Sequence, residues 1–99
     1  MKKVRPTVAR NSRDLARALD LTDADRQTME IQLQIAERIM REVARQALTH
    51  AALAQRAGTS RTRITAVLNG NLDQVSTDLL LRILSSLGIR ARIAFSRAA

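Results

Sequence analysis

The fold follows from residues 50–69, HAALAQRAGTSRTRITAVLN, which predict two short helices joined by a tight turn. Gly58 lies where the chain must reverse, and glycine adopts a positive φ without steric cost. Thr59 or Ser60 can cap the second helix, because a hydroxyl oxygen accepts hydrogen bonds from the free amides of a first turn. Each helix also carries apolar side chains at the spacing typical of a helix packed on a core. These are Leu53, Ala54 and Ala57 in the first helix, and Ile64, Val67 and Leu68 in the second.

The opposite side of the second predicted helix carries small polar groups edged by guanidinium groups. Such a face suits the major groove of DNA, which admits one helix and presents base edges to arginine and threonine. We expect base contacts at the start of this helix, and contacts with the groove floor or a thymine methyl one turn later. The base-facing residues are Arg61 and Thr62, followed by Thr65 and Ala66. Phosphate contacts are expected from His50, Ser60, Arg63 and Asn69.

Several of these residues resemble the helix-turn-helix motif of DNA-binding proteins. Counted from His50, they fall where the motif has alanine, glycine and two branched apolar residues: Ala54, Gly58, Ile64 and Val67. The preceding Leu-Thr, the Ser-Arg-Thr start of the second helix and the closing Asn-Gly resemble the XRE/Cro-type branch, the phage-repressor family. Thr59 departs from that family, which usually has an apolar residue there, so we expect looser packing at the turn. The alternative is an ordinary helical hairpin without a role in DNA binding.

The net charge of +8 implies a polyanionic partner, such as nucleic acid or an anionic membrane surface. Residues 1–20 carry six basic and two acidic groups, and residues 48–99 carry seven and two. Residues 21–47 between them carry four and five. The single aromatic residue, Phe95, excludes a stacking platform for single-stranded nucleic acid. Double-stranded DNA is therefore the expected partner.

Other classes of function require residues that this sequence lacks. Cysteine is absent, so we expect neither disulfides nor a thiolate metal site, in keeping with a reducing cytoplasm. No apolar stretch approaches the roughly 20 residues that span a bilayer, and the basic N-terminus lacks the apolar run of a signal peptide. The lone His50 and scattered carboxylates form no catalytic or metal-binding set, so we expect no enzymatic activity and no cofactor. For His50, a surface histidine without a task is an equal alternative.

Two segments precede the helix pair. Residues 1–21 are basic and predict an N-terminal arm, either a solvated tail or a contact with phosphate or the minor groove, with a possible short helix at 13–19. A long amphipathic helix is predicted to follow Thr22, with Asp25 completing an approximate capping box, and to end at Thr49. Its apolar stripe is predicted as Met29, Leu33, Ala36, Met40, Val43 and Ala47, widened by Ile35, Ile39, Ala44 and Leu48.

The C-terminal part predicts one more helix and then a strand. A turn at 69–71 precedes a helix over Thr77–Leu87, capped by Ser76 and ended by Gly88. The residues of this helix that are predicted to face the core are Leu79, Leu80, Ile83, Leu84 and Leu87. Residues 89–95 then alternate with the period of a strand. A lone strand leaves its amides unpaired, so we expect it to pair with the same strand of a second copy across a two-fold axis; the alternative is a frayed C-terminus. The predicted dimerisation residues are Ile89, Ala91, Ile93 and Phe95.

The expected fold is all-α, a small bundle of about five helices with a central helix-turn-helix and a short C-terminal β-strand for dimerisation. Residues 1–21 form the arm and residues 22–99 the DNA-binding domain. From about residue 12 to residue 95, the order of segments resembles the HigA-like branch of XRE proteins. The resemblance rests on a long helix, LTHAALAQRAG, SRTRITAVLNG, a leucine-rich helix closed by SLG, and an Ile/Phe strand. It implies a homodimeric antitoxin of a type II toxin–antitoxin pair that represses its own operon and neutralises an mRNA-cleaving toxin.

Three functions from different classes are compatible with these features. The first is an autorepressing antitoxin that binds its toxin through the N-terminal arm or the long helix. The second is a stand-alone, phage-like repressor, which would purify without a small basic partner. The third is an interaction module that has lost DNA binding, which weak retention on heparin at physiological salt would indicate.

Overall fold

Four α-helices make up the part of the chain that the computed structural model describes, residues 22–97. They are α1 (Asp23–Gln46), α2 (His50–Ala57), α3 (Arg61–Leu68) and α4 (Thr77–Ser86). The predicted all-α class is confirmed, and residues 22–97 contain no strand. The predicted N-terminal arm and its short helix lie outside the described residues. None of the four helices is both long and apolar enough to cross a membrane.

Each of the four helices begins at a side-chain cap, at the positions that the sequence predicts. Thr22 and Asp25 form a reciprocal capping box: the threonine hydroxyl accepts from the Asp25 amide at 3.1 Å, and the carboxylate accepts from the Thr22 amide at 3.3 Å. Thr49, Ser60 and Ser76 cap the later helices, and each accepts from the amide three residues ahead at 3.0, 3.1 and 3.0 Å. These bonds satisfy amides that would otherwise lack partners, so they define where each helix begins.

The same four helices also end alike, with a residue in the left-handed conformation. These residues are Ala47, Gly58, Gly70 and Gly88, with φ of 53°, 68°, 76° and 82°. The next amide donates to the carbonyl five residues earlier, as Leu48 does to Val43 at 3.1 Å. The Cβ of Ala47 makes this conformation unfavourable by roughly 1–2 kcal/mol, a cost that glycine avoids. Because Ala47 has left the helical conformation, α1 ends at Gln46, before the predicted end at Thr49.

The chain divides into two units after Ile31, and the described hydrophobic core lies in the second, which begins at Gln32. α2 packs against both α3 and α4. The predicted inward faces of these three helices are confirmed, except that Leu68 is only partly buried. Fully burying one large apolar side chain contributes about 1.5–3 kcal/mol, so a small core of this kind can hold the helices together. The largest fully buried side chains are Ile39, Leu53, Ile64, Val67, Leu80 and Ile83.

The buried face of α1 differs from the predicted apolar stripe. It consists of Ile35, Ala36, Ile39 and Glu42, whereas Leu33 of the predicted stripe is 41% exposed. The prediction is confirmed for Ile35, Ala36 and Ile39, whereas Leu33, Ala44 and Ala47 are exposed. Two overlapping apolar sets run along this helix, and periodicity alone does not say which set meets the core. The remaining members of the predicted stripe are partly buried or exposed: Met29, Met40, Val43, Ala44, Ala47 and Leu48.

The C-terminal segment, residues 89–97, has no regular secondary structure in this single chain. Ile89 packs against the core and its amide closes α4 on the Leu84 carbonyl at 3.2 Å. Beyond it the segment leaves the core, and Ile93 and Phe95 are 80% and 93% exposed. The predicted strand over residues 89–95 is therefore not formed here, because strand backbone groups need a second strand and residues 22–97 supply none.

Candidate nucleic-acid interface

A short turn holds α2 and α3 against each other. Gly58, with φ of 68° and ψ of 41°, ends α2, and its amide donates to Gln55 at 3.3 Å. The Thr59 amide donates to Ala54 at 3.0 Å, and Ser60 then caps α3. Because both ends of the turn are hydrogen-bonded to a helix, α3 has a defined orientation on α2. This is the arrangement in which a helix-turn-helix presents its second helix to DNA.

The side-chain hydroxyl of Thr59 is a buried polar group in this turn. Its Oγ1 is buried and has no hydrogen-bond partner among the described residues. A buried hydroxyl without a partner costs about 1–3 kcal/mol. The resemblance to the XRE/Cro-type branch indicates the same position, because that family usually has an apolar residue there. The structure adds that the unfavourable feature is a buried, unpaired hydroxyl.

The outward face of α3 lies opposite its buried residues. Ile64 and Val67 are fully buried in the core, so the far side of the helix faces away from it. At 3.6 residues per turn, Thr62, Ala66 and Asn69 fall in the middle of this far side. Thr62 and Asn69 are exposed and Ala66 is half-buried. This face therefore consists of short, mostly polar side chains, so the helix can enter a DNA groove.

Arg61 and Arg63 border that face on its two sides. Both are exposed and lie in the first turn of α3, where the helix dipole adds partial positive charge. Neither α2 nor α3 contains an acidic residue, so no neighbouring carboxylate in the pair offsets their charge. The start of α3 is therefore a concentrated cationic site that attracts phosphate.

Ser60 and Asn69 stand at the two ends of α3. The Ser60 Oγ accepts from the Arg63 amide at 3.1 Å and retains its hydroxyl hydrogen for donation. Asn69 closes the helix through its own amide, which donates to the Thr65 carbonyl at 3.0 Å, and its exposed side-chain amide is not used in the closure. Both residues thus have a donor left for the predicted phosphate contacts.

His50 and Thr65 connect the two helices of the pair through their side chains. His50 begins α2, and its Nδ1 lies 2.9 Å from the Thr65 Oγ1 on α3. Both side chains are half-buried. The sequence predicts each as a DNA contact, one to phosphate and one to the groove, but does not predict that they bond to each other.

Two glutamines of α1 hold this helix to the two ends of α4. The Gln32 Nε2 donates to the Val75 carbonyl at 3.2 Å and to the Thr77 hydroxyl at 3.0 Å. The Gln46 Nε2 donates to the Leu87 carbonyl at 3.1 Å. Since α4 packs against α2, these bonds give the helix pair a defined support. The sequence analysis missed both glutamines, because a polar residue on a helix does not reveal a partner some forty positions away.

Glu42 is the buried acidic residue of this support, with 6% of its surface exposed. Its carboxylate accepts from Arg45 at 2.9 and 3.1 Å, from Gln46 at 3.2 Å and from Arg38 at 3.5 Å. The bonds from Arg45 and then Gln46 hold the pKa of Glu42 below its ordinary value, while burial acts in the opposite direction. A signal was present in the sequence: Glu42 lies one turn after Ile39 on the buried face, between two arginines at helical spacing.

The geometry of α2, the turn and α3 defines the class of protein: a helix-turn-helix protein that binds DNA. The sequence agrees, since residues 18–96 match the family described as "Helix-turn-helix domain". This match covers most of the chain, and the chain therefore belongs to that family. No curated protein and no solved structure matches the chain.

Proposed function

We propose that the protein is a sequence-specific transcriptional repressor of the XRE/Cro type that binds double-stranded operator DNA through α3. The observation that carries the proposal is the outward face of α3, which is small and polar, bordered by Arg61 and Arg63, and free of acidic residues. In this proposal the start of α3 contacts base edges, the middle faces the groove floor, and the flanks hold the phosphates. The bases are contacted by Arg61, Thr62, Thr65 and Ala66, and the phosphates by His50, Ser60, Arg63 and Asn69.

The proposed repressor acts as a homodimer through residues 89–95. The support is the alternation of the segment together with the exposure of Ile93 and Phe95, two large apolar side chains that a partner strand would cover. Pairing two copies antiparallel gives a partner to the backbone groups on the edge of each strand that faces the other copy. The half-sites of a palindromic operator are about 34 Å apart, and a two-fold dimer can present one recognition helix to each of them.

We further propose that the repressor is a HigA-like antitoxin of a bacterial type II toxin–antitoxin pair, acting in the cytoplasm without enzymatic activity or cofactor. The support is the order of its segments and the exposed apolar side of α1, where Leu33 stands clear of the core. In this role the protein represses its own operon and neutralises an mRNA-cleaving toxin. A stand-alone repressor without a toxin is the second candidate, and it shares the features of α3.

A salt titration of DNA binding tests the proposal. The full chain is titrated onto a duplex from its own promoter and onto a scrambled duplex of the same composition, with and without the product of the adjacent gene. We expect specific binding whose affinity falls steeply with salt, because Lys and Arg release counterions from phosphates. We also expect the neighbouring protein to change the promoter affinity.

Each outcome of this titration separates the candidates. Specific binding whose affinity does not change when the neighbouring protein is added would support the stand-alone repressor. Equal affinity for promoter and scrambled duplex would refute sequence-specific repression. Absence of binding to either duplex at low salt would leave only an interaction module.

A further inference from the structure

The contact between His50 and Thr65 joins a proposed phosphate-binding side chain to a proposed base-facing one. The 2.9 Å separation of Nδ1 and Oγ1 is a hydrogen-bond distance, and it spans 15 positions of the chain. Both side chains are half-buried, so bulk water competes for this bond less than it would at a fully exposed site. If one of the two side chains donates the hydrogen of this bond, the other must accept it.

The constraint follows from counting hydrogens. A neutral imidazole has one N–H donor and one acceptor nitrogen. When the Nε2–H of His50 donates to a phosphate oxygen, Nδ1 carries no hydrogen and can only accept. The hydroxyl hydrogen of Thr65 must then point at Nδ1. The Thr65 oxygen keeps its lone pairs and the side chain keeps its methyl group, but no hydrogen is left to donate.

We propose that His50 makes Thr65 a specificity-determining residue that accepts hydrogen bonds at the base edge and does not donate them. This inference rests on the proposed DNA-binding function and deepens it. In the major groove the donors are the N4 amino group of cytosine and the N6 amino group of adenine, whereas guanine and thymine present acceptors there. The pair thus favours cytosine or adenine, and disfavours guanine, at the position that faces Thr65.

The same arrangement couples two kinds of contact. The Thr65 hydroxyl is polarised toward Nδ1 only while Nε2 donates elsewhere, and the DNA backbone supplies that acceptor. Thr65 therefore shows its base preference only in complexes in which His50 also donates to a phosphate. His50 acts here as a positioning residue, and Thr65 makes the contact with the base.

The hydrogen positions on His50 give a direct test. The chain contains a single histidine, so ¹⁵N-histidine labelling of the full chain yields signals from one imidazole only. The spectrum is recorded in complex with the best duplex that the wild-type chain selects from a randomised pool. We expect a hydrogen on Nε2 and none on Nδ1. A hydrogen on Nδ1 in this complex would overturn the proposal, and the measurement requires no variant to fold.

A panel of duplexes tests the consequence for specificity. Each base pair of the selected site is replaced in turn, and binding is measured for the wild type, Thr65→Val, His50→Phe and the double variant. Thr65→Val keeps the shape and methyl but removes the acceptor, and we expect about a tenfold loss of discrimination at one base pair. His50→Phe frees the Thr65 hydroxyl to rotate, so the same base pair should lose its preference, and all duplexes should bind more weakly.

The double variant and a matched control complete the design. If the two residues act as one unit, adding Thr65→Val to His50→Phe should change the base preference no further. Thr62→Val removes a hydroxyl from the same helix at an exposed position, and its effect should multiply with that of His50→Phe. Thermal melting of each variant verifies that it is folded.

Two other results carry distinct meanings. If His50→Phe weakens every duplex by the same factor and the preference at the Thr65 base pair persists, the link between the residues is refuted while DNA binding stands. If the wild-type chain enriches no sequence from the pool, the proposed sequence-specific DNA binding itself fails.

Discussion

Residues 50–69 and residues 89–95 carry equally regular apolar patterns, yet only the first stretch adopts regular secondary structure in the single chain. Its helical spacing becomes α2 and α3, with caps at Thr49 and Ser60. The alternation of the second stretch leaves Ile93 and Phe95 almost entirely exposed.

The difference lies in where the backbone hydrogen bonds are made. A helix closes them within its own segment, and α2 then packs against both α3 and α4. A strand makes them only with another strand, and the described residues of one chain hold none. A regular pattern therefore predicts structure within one chain only when the partner it needs is in that chain.

The largest expected effect comes from breaking the proposed strand pair. Ile93→Asp should convert the dimer to a monomer and lower operator affinity by about 10²–10⁴-fold, because two linked half-sites bind far more tightly than one. Sedimentation and operator titration measure the two effects, while helical circular dichroism should stay unchanged. Ala94→Asp introduces the same charge on the other side of the strand and should remain dimeric. An Ile93→Asp protein that is still a dimer would remove the segment from the interface.

A pair of truncations then compares the two regions directly. Ile64→Ala should lower the free energy of unfolding by about 2–5 kcal/mol, because it leaves a cavity in the core beneath α3. Phe95→Ala should change it by less than about 0.5 kcal/mol, because that side chain is exposed in the single chain. Urea unfolding, carried out on the monomeric Ile93→Asp background, measures both values. Similar losses for the two variants would show that the C-terminal segment belongs to the monomer core.

Removal of a guanidinium separates recognition from stability within the helix pair. Arg61→Ala should cost about 1–3 kcal/mol of operator binding, relax one base preference and leave the unfolding free energy nearly unchanged. Competition binding with operator and scrambled duplexes measures the first two effects. Arg82→Ala, which removes the same charge from an exposed position on α4, serves as the control. Equal losses on both duplexes would mean that Arg61 contacts only the DNA backbone.

A smaller effect is expected from replacing Thr59, in the turn between α2 and α3. Thr59→Val keeps the shape of the side chain but removes the buried hydroxyl that lacks a partner, and should raise the free energy of unfolding by about 1 kcal/mol. Thermal and urea unfolding provide the measurement. The control is Thr62→Val, whose side chain is exposed and whose effect should stay within about 0.5 kcal/mol. A loss of stability in Thr59→Val would indicate that the hydroxyl has a partner in solution.

The smallest expected effect concerns the end of α1. Ala47→Gly should stabilise the protein by about 0.5–1 kcal/mol, because the left-handed conformation costs glycine nothing. Ala44→Gly, the same substitution inside the helix, should destabilise it by a similar amount of about 0.5–1 kcal/mol. Opposite signs in urea unfolding would confirm the conformation of Ala47, and a destabilised Ala47→Gly would contradict it.

The features predicted correctly depend on near neighbours in the chain. Thr22, Thr49, Ser60 and Ser76 cap the helices at the predicted positions, since a cap bonds an amide three residues away. The core faces of α2, α3 and α4 also follow from local spacing. The residues on the outward side of α3 can also be predicted, because the inward positions are occupied by the apolar core residues of that helix.

The features predicted wrongly or missed depend on distant residues. The predicted apolar stripe of α1 was wrong at Leu33, Ala44 and Ala47, which are exposed, because the packing partners of the helix determine which apolar residues are buried. Glu42 was missed although its hydrogen-bond partners lie within about one turn of α1, because its burial depends on how that face of the helix packs. The predicted dimer strand stays a prediction, and it depends on a second chain.

The sequence by itself determined where the four helices begin, the turn at Gly58 and the outward cationic face of α3, because each is set by contacts within about one or two helical turns. Only the tertiary structure decided which apolar residues of α1 are buried, that Gln32 and Gln46 hold the two ends of α4, and that His50 meets Thr65. Those bonds join atoms 43, 41 and 15 positions apart. Their geometry depends on how whole helices pack, and no local pattern encodes the distance between two side chains on different helices.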